Sequence, residues 1–504
     1  MLHAQGRPAG AALTLAVGLA CLALATAMVC GQYVSRTWIQ RDGRFYVNVS
    51  TTLAEGLSVD QGEFAASWYS GTLGWNRNLD PAWSNVALGA NGERLPKHPI
   101  LLPLASLPLF WAFGLDGNLL FNLLMIALAG AMAFGVARRY ASEPAAVLAA
   151  LALPLGTGIR AYAYDFHVDV LHLALFFGGW AALHARRGWL AGALLGLCVV
   201  IRPTGMLWMP ALAMTCVQAR DWRTLLRTLG GGAVILALFA LSNWGLYGRP
   251  WWSGYNRVLV VVEGEPQVAD VSDAFSVPLR QGLTELWGGH YGIARHLTLV
   301  FFAAPGLVAM LKRRWLEVAV SLACIAGSVL LFAHYRWFGD RFLWPSAALL
   351  VPGLAVGLDL AGRGLSPAHR PWASAALLAG LVALANILAG APLIDRFGLE
   401  PATLFLRVGL LALTCAALAW AGAARARGAA SVIAPAIFLL FPGVIERALE
   451  GGPELYVASA ITLAIAMPRW WLSLPLAALA GWLALVPTAV EPGTLVAALE
   501  HGEG

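Results

Sequence analysis

Uncharged apolar runs alternate with short charged segments along almost the whole chain, at about residues 117–137, 144–159, 170–183, 189–201, 205–217, 228–246, 296–311, 318–333, 342–358, 371–394, 408–424, 428–445, 454–468 and 470–490. Lipid offers no partner for a backbone N–H or C=O, so segments of this kind fold as helices with internal hydrogen bonds. With a further run at 9–31, the pattern predicts an all-α fold, a polytopic membrane helix bundle of about 13–15 transmembrane helices. The first run contains Ala25-Thr26-Ala27, a signal-peptidase-like site, but it is long enough to span and reads as an uncleaved anchor. The short runs on either side of Arg202-Pro203 suit a shallow hairpin or a bent helix.

Charge between the runs gives orientation. Arg138-Arg139, Arg186-Arg187, Arg220 with Arg223 and Arg227, Lys312-Arg313-Arg314, Arg363 with Arg370, and Arg425 with Arg427 fall on alternate loops, which therefore read as cytoplasmic. Acids such as Asp165, Asp169, Asp340, Asp395 and Glu400 occupy the loops between. A cytoplasmic N-terminus fits this parity only if the apolar segment 98–114, broken by Pro99, Pro103 and Pro108, enters from the outer face and does not cross. Residues 33–116 then form one long outer loop carrying short helices, and 247–295 a second that meets it as a lid. The expected location is the bacterial cytoplasmic (inner) membrane, with the site on the outer face.

Composition narrows the classes further. Of 504 residues, 59% are hydrophobic and 12% charged, too little polar surface for a water-soluble globule of this size. The net charge of +6 sits in the inter-helix clusters, so it reports orientation and gives no reason to expect nucleic acid as a partner. Six scattered cysteines form no C-x-x-C pair and imply neither a zinc site nor a disulfide framework. No internal repeat or soluble domain interrupts the pattern, so 1–504 reads as a single membrane domain whose last part, 366–504, is structural.

Several polar positions could carry chemistry. Asp42 follows the first run in Arg41-Asp42-Gly43-Arg44; there a carboxylate can take a proton or orient a hydroxyl, or simply start a turn before Gly43. Lys97-His98-Pro99 offers an ammonium and an imidazole to a phosphate headgroup, or a lysine that only fixes depth. In Tyr162-Ala163-Tyr164-Asp165-Phe166-His167-Val168-Asp169, two acids four apart would share a helix face beside an imidazole. That set could hold a divalent cation or pair with arginines such as Arg160. Arg202 at the tip of the short hairpin, and Arg336 and Arg341 in the aromatic stretch 334–341 between two runs, could hold a phosphate, or the stretch is an aromatic belt with Arg341 paired to Asp340.

The order of these features resembles the GT-C superfamily of membrane glycosyltransferases. Asp42-Gly43-Arg44-Phe45-Tyr46 is similar to that superfamily's acidic motif after the first span, and Lys97-His98-Pro99-Ile100-Leu101 to its lysine and proline element. The Asp165–Asp169 junction and Arg202-Pro203-Thr204 follow in the same order, so the likeness covers roughly residues 10–360. It implies a GT-C-like catalytic module including both outer loops, which moves a sugar from a polyprenyl-phosphate or diphosphate donor to a glycan, lipid or protein acceptor. By the same resemblance Asp42 is the catalytic base or orienting group, while Lys97, Arg336 and Arg341 meet the lipid phosphate. Asp165 is a second acid that ligates metal in some branches. Gly43 stands where many relatives carry a second acid. A transporter or lipid flippase for envelope glycans, or a non-catalytic assembly protein, is the alternative from another class.

Overall fold

A computed structural model describes residues 13–18, 21, 41–61, 86–156, 159, 162, 165–262, 265–268, 274–288, 299–336 and 340–361. Most of the first run, Arg160, and the structural segment 366–504 lie outside the described residues.

The described chain is a helical membrane bundle. In order come α1 (Arg41–Gly56), α2 (Leu101–Phe113), α3 (Leu115–Ala137), α4 (Glu143–Gly156), α5 (Val168–His184), α6 (Gly188–Ile201), α7 (Met209–Gln218), α8 (Trp222–Tyr247), α9 (Leu279–Gly288), α10 (Leu299–Ala333) and α11 (Trp344–Ala361). Four helical segments, 115–137, 222–247, 303–333 and 341–360, are long and apolar enough to cross a membrane, and α2, α5, α6 and most of α4 are shorter apolar helices.

The segments between the first helices and after α8 carry more than the short helices expected of them. Strands β1 (Val86–Leu88) and β2 (Arg94–Pro96) pair antiparallel, as do β3 (Leu259–Val262) and β4 (Glu265–Val268). The first hairpin closes through Gly92 at φ 91°, a left-handed backbone that glycine adopts without steric cost. Tyr247 donates its hydroxyl hydrogen to the Pro96 carbonyl at 3.1 Å and Arg257 Nε donates to the Leu88 carbonyl at 2.6 Å. The two outer segments therefore do meet.

The proline-rich segment folds as α2, about 20 Å long at 1.5 Å per residue and short of a hydrocarbon core of about 30 Å. Gly114, at φ 60°, then reverses the chain, and Gly117 lies so close to the Leu109 carbonyl that a Cβ there would collide with it. α2 is thus folded back on α3.

α10 is bent rather than straight. Arg314 leaves helical geometry (φ −133°, ψ 35°). Gly306, before the break, packs on the Gly353 carbonyl, while Ser328, after it, hydrogen-bonds Ser346 at 2.8 Å. In a straight helix Gly306 and Ser328 would stand about 33 Å apart, whereas Ser346 and Gly353 are about 10 Å apart on α11. The two arms therefore fold back at Arg314, as the charged Lys312-Arg313-Arg314 interruption predicts. Inside the bend, Glu317 pairs with Arg314 at 2.9 Å and accepts a short hydrogen bond from Tyr140.

Close packing of α6 on α8 depends on small residues. Gly188, Gly192 and Gly196, spaced four apart, lie against Thr224, Thr228 and Ile235 in turn, so the two helices run parallel with their backbones nearly touching. Elsewhere α8 exposes Leu226, Leu238 and Leu241, apolar surface suited to lipid. Because a Cβ on Gly192 would overlap the Thr228 carbonyl, Gly192→Leu is expected to lose about 1–3 kcal/mol or more. A thermal melt of the detergent-solubilised variant coinciding with wild type would remove this seam from the account of the bundle.

Candidate functional site

The site forms where four helix termini meet. α1 presents Asp42 in its first turn, where the helix dipole favours a carboxylate. Behind Asp42, α1 is fixed by Ser50, which donates to Asn118 Oδ1 of α3 at 3.5 Å, the same oxygen that accepts from Ser106 of α2 at 2.9 Å. His167 is the extended N-cap of α5, and Asp169 lies in that helix's first turn. Arg202 follows the last residue of α6, and Arg341 sits in the 3-10 turn 340–343 leading into α11.

These five side chains form one connected ion cluster. Arg341 Nη2 donates to Asp42 Oδ2 at 3.0 Å, and His167 Nε2 lies 3.4 Å from the same oxygen. The other imidazole nitrogen, Nδ1, is 2.8 Å from Asp169 Oδ2, so His167 bridges the two acids. Asp169 also pairs with Arg202 through Oδ1 and approaches Arg341 Nε at 3.5 Å. Arg341 Nη1 donates to the Tyr162 hydroxyl at 3.2 Å, and both guanidinium groups lie over the Phe342 ring, at 4.7 Å for Arg202 and 5.2 Å for Arg341.

Exposure divides the cluster into a closed back and an open front. The His167 and Asp169 side chains are 1% exposed, whereas Asp42 and Arg341 keep 27% and 21% of their surface. Burial opposes ionisation of Asp42, but the His167 hydrogen bond and the charges of His167 and Arg341 hold its carboxyl well below the ordinary carboxylate range. For His167, burial and Arg341 disfavour the proton while Asp169 and Asp42 favour it, and the acids prevail, so its pKa is raised.

Lys97 and His98 come up to this front. Burial lowers the pKa of Lys97, opposed by the Asp42 carboxylate, and burial pushes that of His98 down to about 3. The neutral His98 ring packs 5.5 Å from Tyr46, and its Nδ1 meets the Tyr255 hydroxyl at 2.9 Å. Gly254, next to Tyr255, lies against the Lys97 and Pro96 carbonyls, closer than a side chain would permit.

Two sequence candidates take other places. Asp165 does not share a helix face with Asp169, because α5 begins only at Val168. Its Oδ1 instead accepts from the Phe166 N–H at 2.8 Å. Arg336 is exposed, and its backbone N–H donates to the Ala274 carbonyl at 2.8 Å. Among the described residues no group of three His, Cys, Asp or Glu side chains is arranged to hold a metal ion. Asp42 and Asp169 face guanidinium groups, a donor set that does not fit a divalent cation.

The sequence reading gave no role to Tyr162, Tyr255, Phe342 or Asn122. Asn122 donates from Nδ2 to the carbonyls of both Tyr162 and Asp165 at 2.7 Å. The available signal was the spacing of Asn118 and Asn122, one turn apart in an otherwise apolar stretch.

Together these features define a polytopic helical membrane protein with a charged, partly open site at one end of its bundle. No family model and no curated protein sequence matches the chain. Among solved structures, the chain is similar to ArnT from Cupriavidus metallidurans bound to undecaprenyl phosphate, with 17% identity, 94% of this chain and 77% of that chain covered, and a TM-score of 0.47. It is also similar to the oligosaccharyltransferase of Archaeoglobus fulgidus tethered with an acceptor peptide, with 14% identity, 75% and 55% covered, and a TM-score of 0.41.

The raised His167 pKa sets a pH dependence. Its stabilising effect is fully present below the unfolded imidazole value of about 6.5 and is lost as pH rises through the higher folded value. The stability difference between wild type and His167→Gln should therefore be largest near pH 5.5 and shrink toward alkaline pH. Melts in detergent across that range check it, and a difference that grows with pH would mean the imidazole is held neutral.

Proposed function

We propose that the chain is a membrane glycosyltransferase that moves a sugar from a polyprenyl-phosphate or diphosphate donor to a glycan, lipid or protein acceptor at the outer face of the bacterial inner membrane. The carrying observation is the half-open mouth where the Asp42 carboxylate meets the Arg341 guanidinium, with Lys97 close enough to act on that carboxylate. A hydroxyl acceptor and a phosphate leaving group need these two chemistries side by side. The sequence resemblance to GT-C enzymes supports the same reading.

In this mechanism the acceptor oxygen attacks the anomeric carbon opposite the phosphate. A carbon–oxygen bond to the acceptor forms as the bond to the phosphate oxygen breaks, and the departing phosphate takes the electron pair. Arg341 stabilises the charge that develops there, and Lys97, which acts on Asp42, is the second cation proposed for it. Asp42 is held so firmly ionised that its role is to accept the acceptor's hydrogen bond and aim its lone pair. The proton then passes to the more basic leaving phosphate. Arg202 and Asp169 support this front from behind, and His98 packs against Tyr46 of α1 beside it.

Asp42→Asn keeps the size of the side chain and removes its charge, so transfer from a polyprenyl-linked donor should fall by about 100-fold or more. Undecaprenyl phosphate should still bind to this variant. Near-normal turnover in the purified variant would exclude Asp42 from the chemistry. Conversely, Arg341→Gln should weaken undecaprenyl phosphate binding by about 1.5–3 kcal/mol, the range for hydrogen bonds to a charged group. Unaltered binding would move the phosphate away from Arg341.

A further inference from the structure

The site depends on Tyr162 and on residues 165–167 just ahead of α5, a junction that supplies two of its contacts. Tyr162 receives Arg341 on its hydroxyl and turns its ring edge to His167 at 5.1 Å. Asp165 stabilises the turn through its Oδ1, the fully buried Phe166 anchors it in the core, and His167 follows. From outside the junction, the Asn122 side chain bonds the carbonyls of both Tyr162 and Asp165.

The amide orientation follows from the contacts. With nitrogen and oxygen exchanged, Asn122 would aim an oxygen at two carbonyl oxygens 2.7 Å away, which is repulsive. In the orientation that works, Oδ1 is buried with no hydrogen-bond partner among the described residues. A leucine would fill the space without burying that oxygen, so the two donated bonds are what the asparagine contributes. One turn earlier, Asn118 holds Ser106 of α2 and Ser50 of α1, the helix that carries Asp42. α3 therefore acts as a ruler, with one asparagine setting the Asp42 helix and the other setting the His167 junction.

We infer that Asn122 is a positioning residue: by fixing the Tyr162 and Asp165 carbonyls it sets the approach of His167 and Arg341 to Asp42. The geometric part of this inference stands on the contacts alone, and its effect on turnover rests on the proposed glycosyl transfer. His167 is faced by Asp42 from α1, Asp169 from α5, Arg341 from the turn before α11 and the rings of Tyr46 and Tyr162, with His98 also near. Its titration therefore reports whether the junction still sits where the two acids can reach it.

The test uses the full chain in detergent micelles, labelled with 13C-histidine, and follows the His167 ring resonance, identified by its loss in His167→Gln. In Asn122→Leu, His167 should titrate at a lower pH than in wild type, moving toward the ordinary value of about 6.5. Asn122→Ser, which keeps one donor, should fall between and serves as the readout where the leucine variant does not fold. Transfer should drop about tenfold or more in parallel, since sub-ångström placement governs such rates. A folded variant whose His167 titrates as in wild type would overturn the positioning role. If wild type itself transfers no sugar, the functional reading fails and the titration still decides the role of Asn122.

Discussion

Ionised groups placed among apolar helices have to be compensated where they stand. Asp169 and His167 are almost wholly enclosed, and a lone carboxylate there would be severely penalised by the loss of water. The fold answers with Arg202 and Arg341, each drawn from a different turn, and with an imidazole bridging to Asp42. That requirement fixes more than local charge. The start of α5, the end of α6 and the entry to α11 must converge within hydrogen-bonding distance, which constrains how the apolar helices between them pack.

A second polar cluster closes the other end of α5, about 25 Å away by helical rise. Tyr140 bonds Glu317, approaches His184 at 3.4 Å, and lies beneath the Arg314 guanidinium at 4.6 Å. Arg314 is also where α10 bends. The bundle is therefore tied by buried polar contacts at both ends of an apolar middle, and the tie at the bend holds the arm of α10 that leads on toward Arg341.

Much of this was legible in the sequence because lipid exposure writes hydrophobicity plainly. The apolar runs and the interruption at Lys312-Arg313-Arg314 both follow from local rules. Asp42, His167, Asp169, Arg202 and Arg341 were each recognisable as candidates, but not their assembly, since no local pattern encodes a contact between residues 42 and 341. The Asp165 reading failed because helical spacing was applied across a boundary that His167 sets as N-cap. The two outer hairpins were missed because strands of three or four residues carry too little alternation to register.

The bond from Arg341 to Asp42 spans 299 positions of the chain. A chain inserted from its N-terminus places α1, the α5 junction and Arg202 before the residues that complete the cluster have been made. Until the hairpin of α10 has entered and delivered the turn before α11, Asp42 and Asp169 lack one of their cations. Maturation of the site is therefore a late event in biogenesis: a truncated or stalled chain would hold its acids incompletely neutralised, and competence would arrive in a single step with the last of these segments.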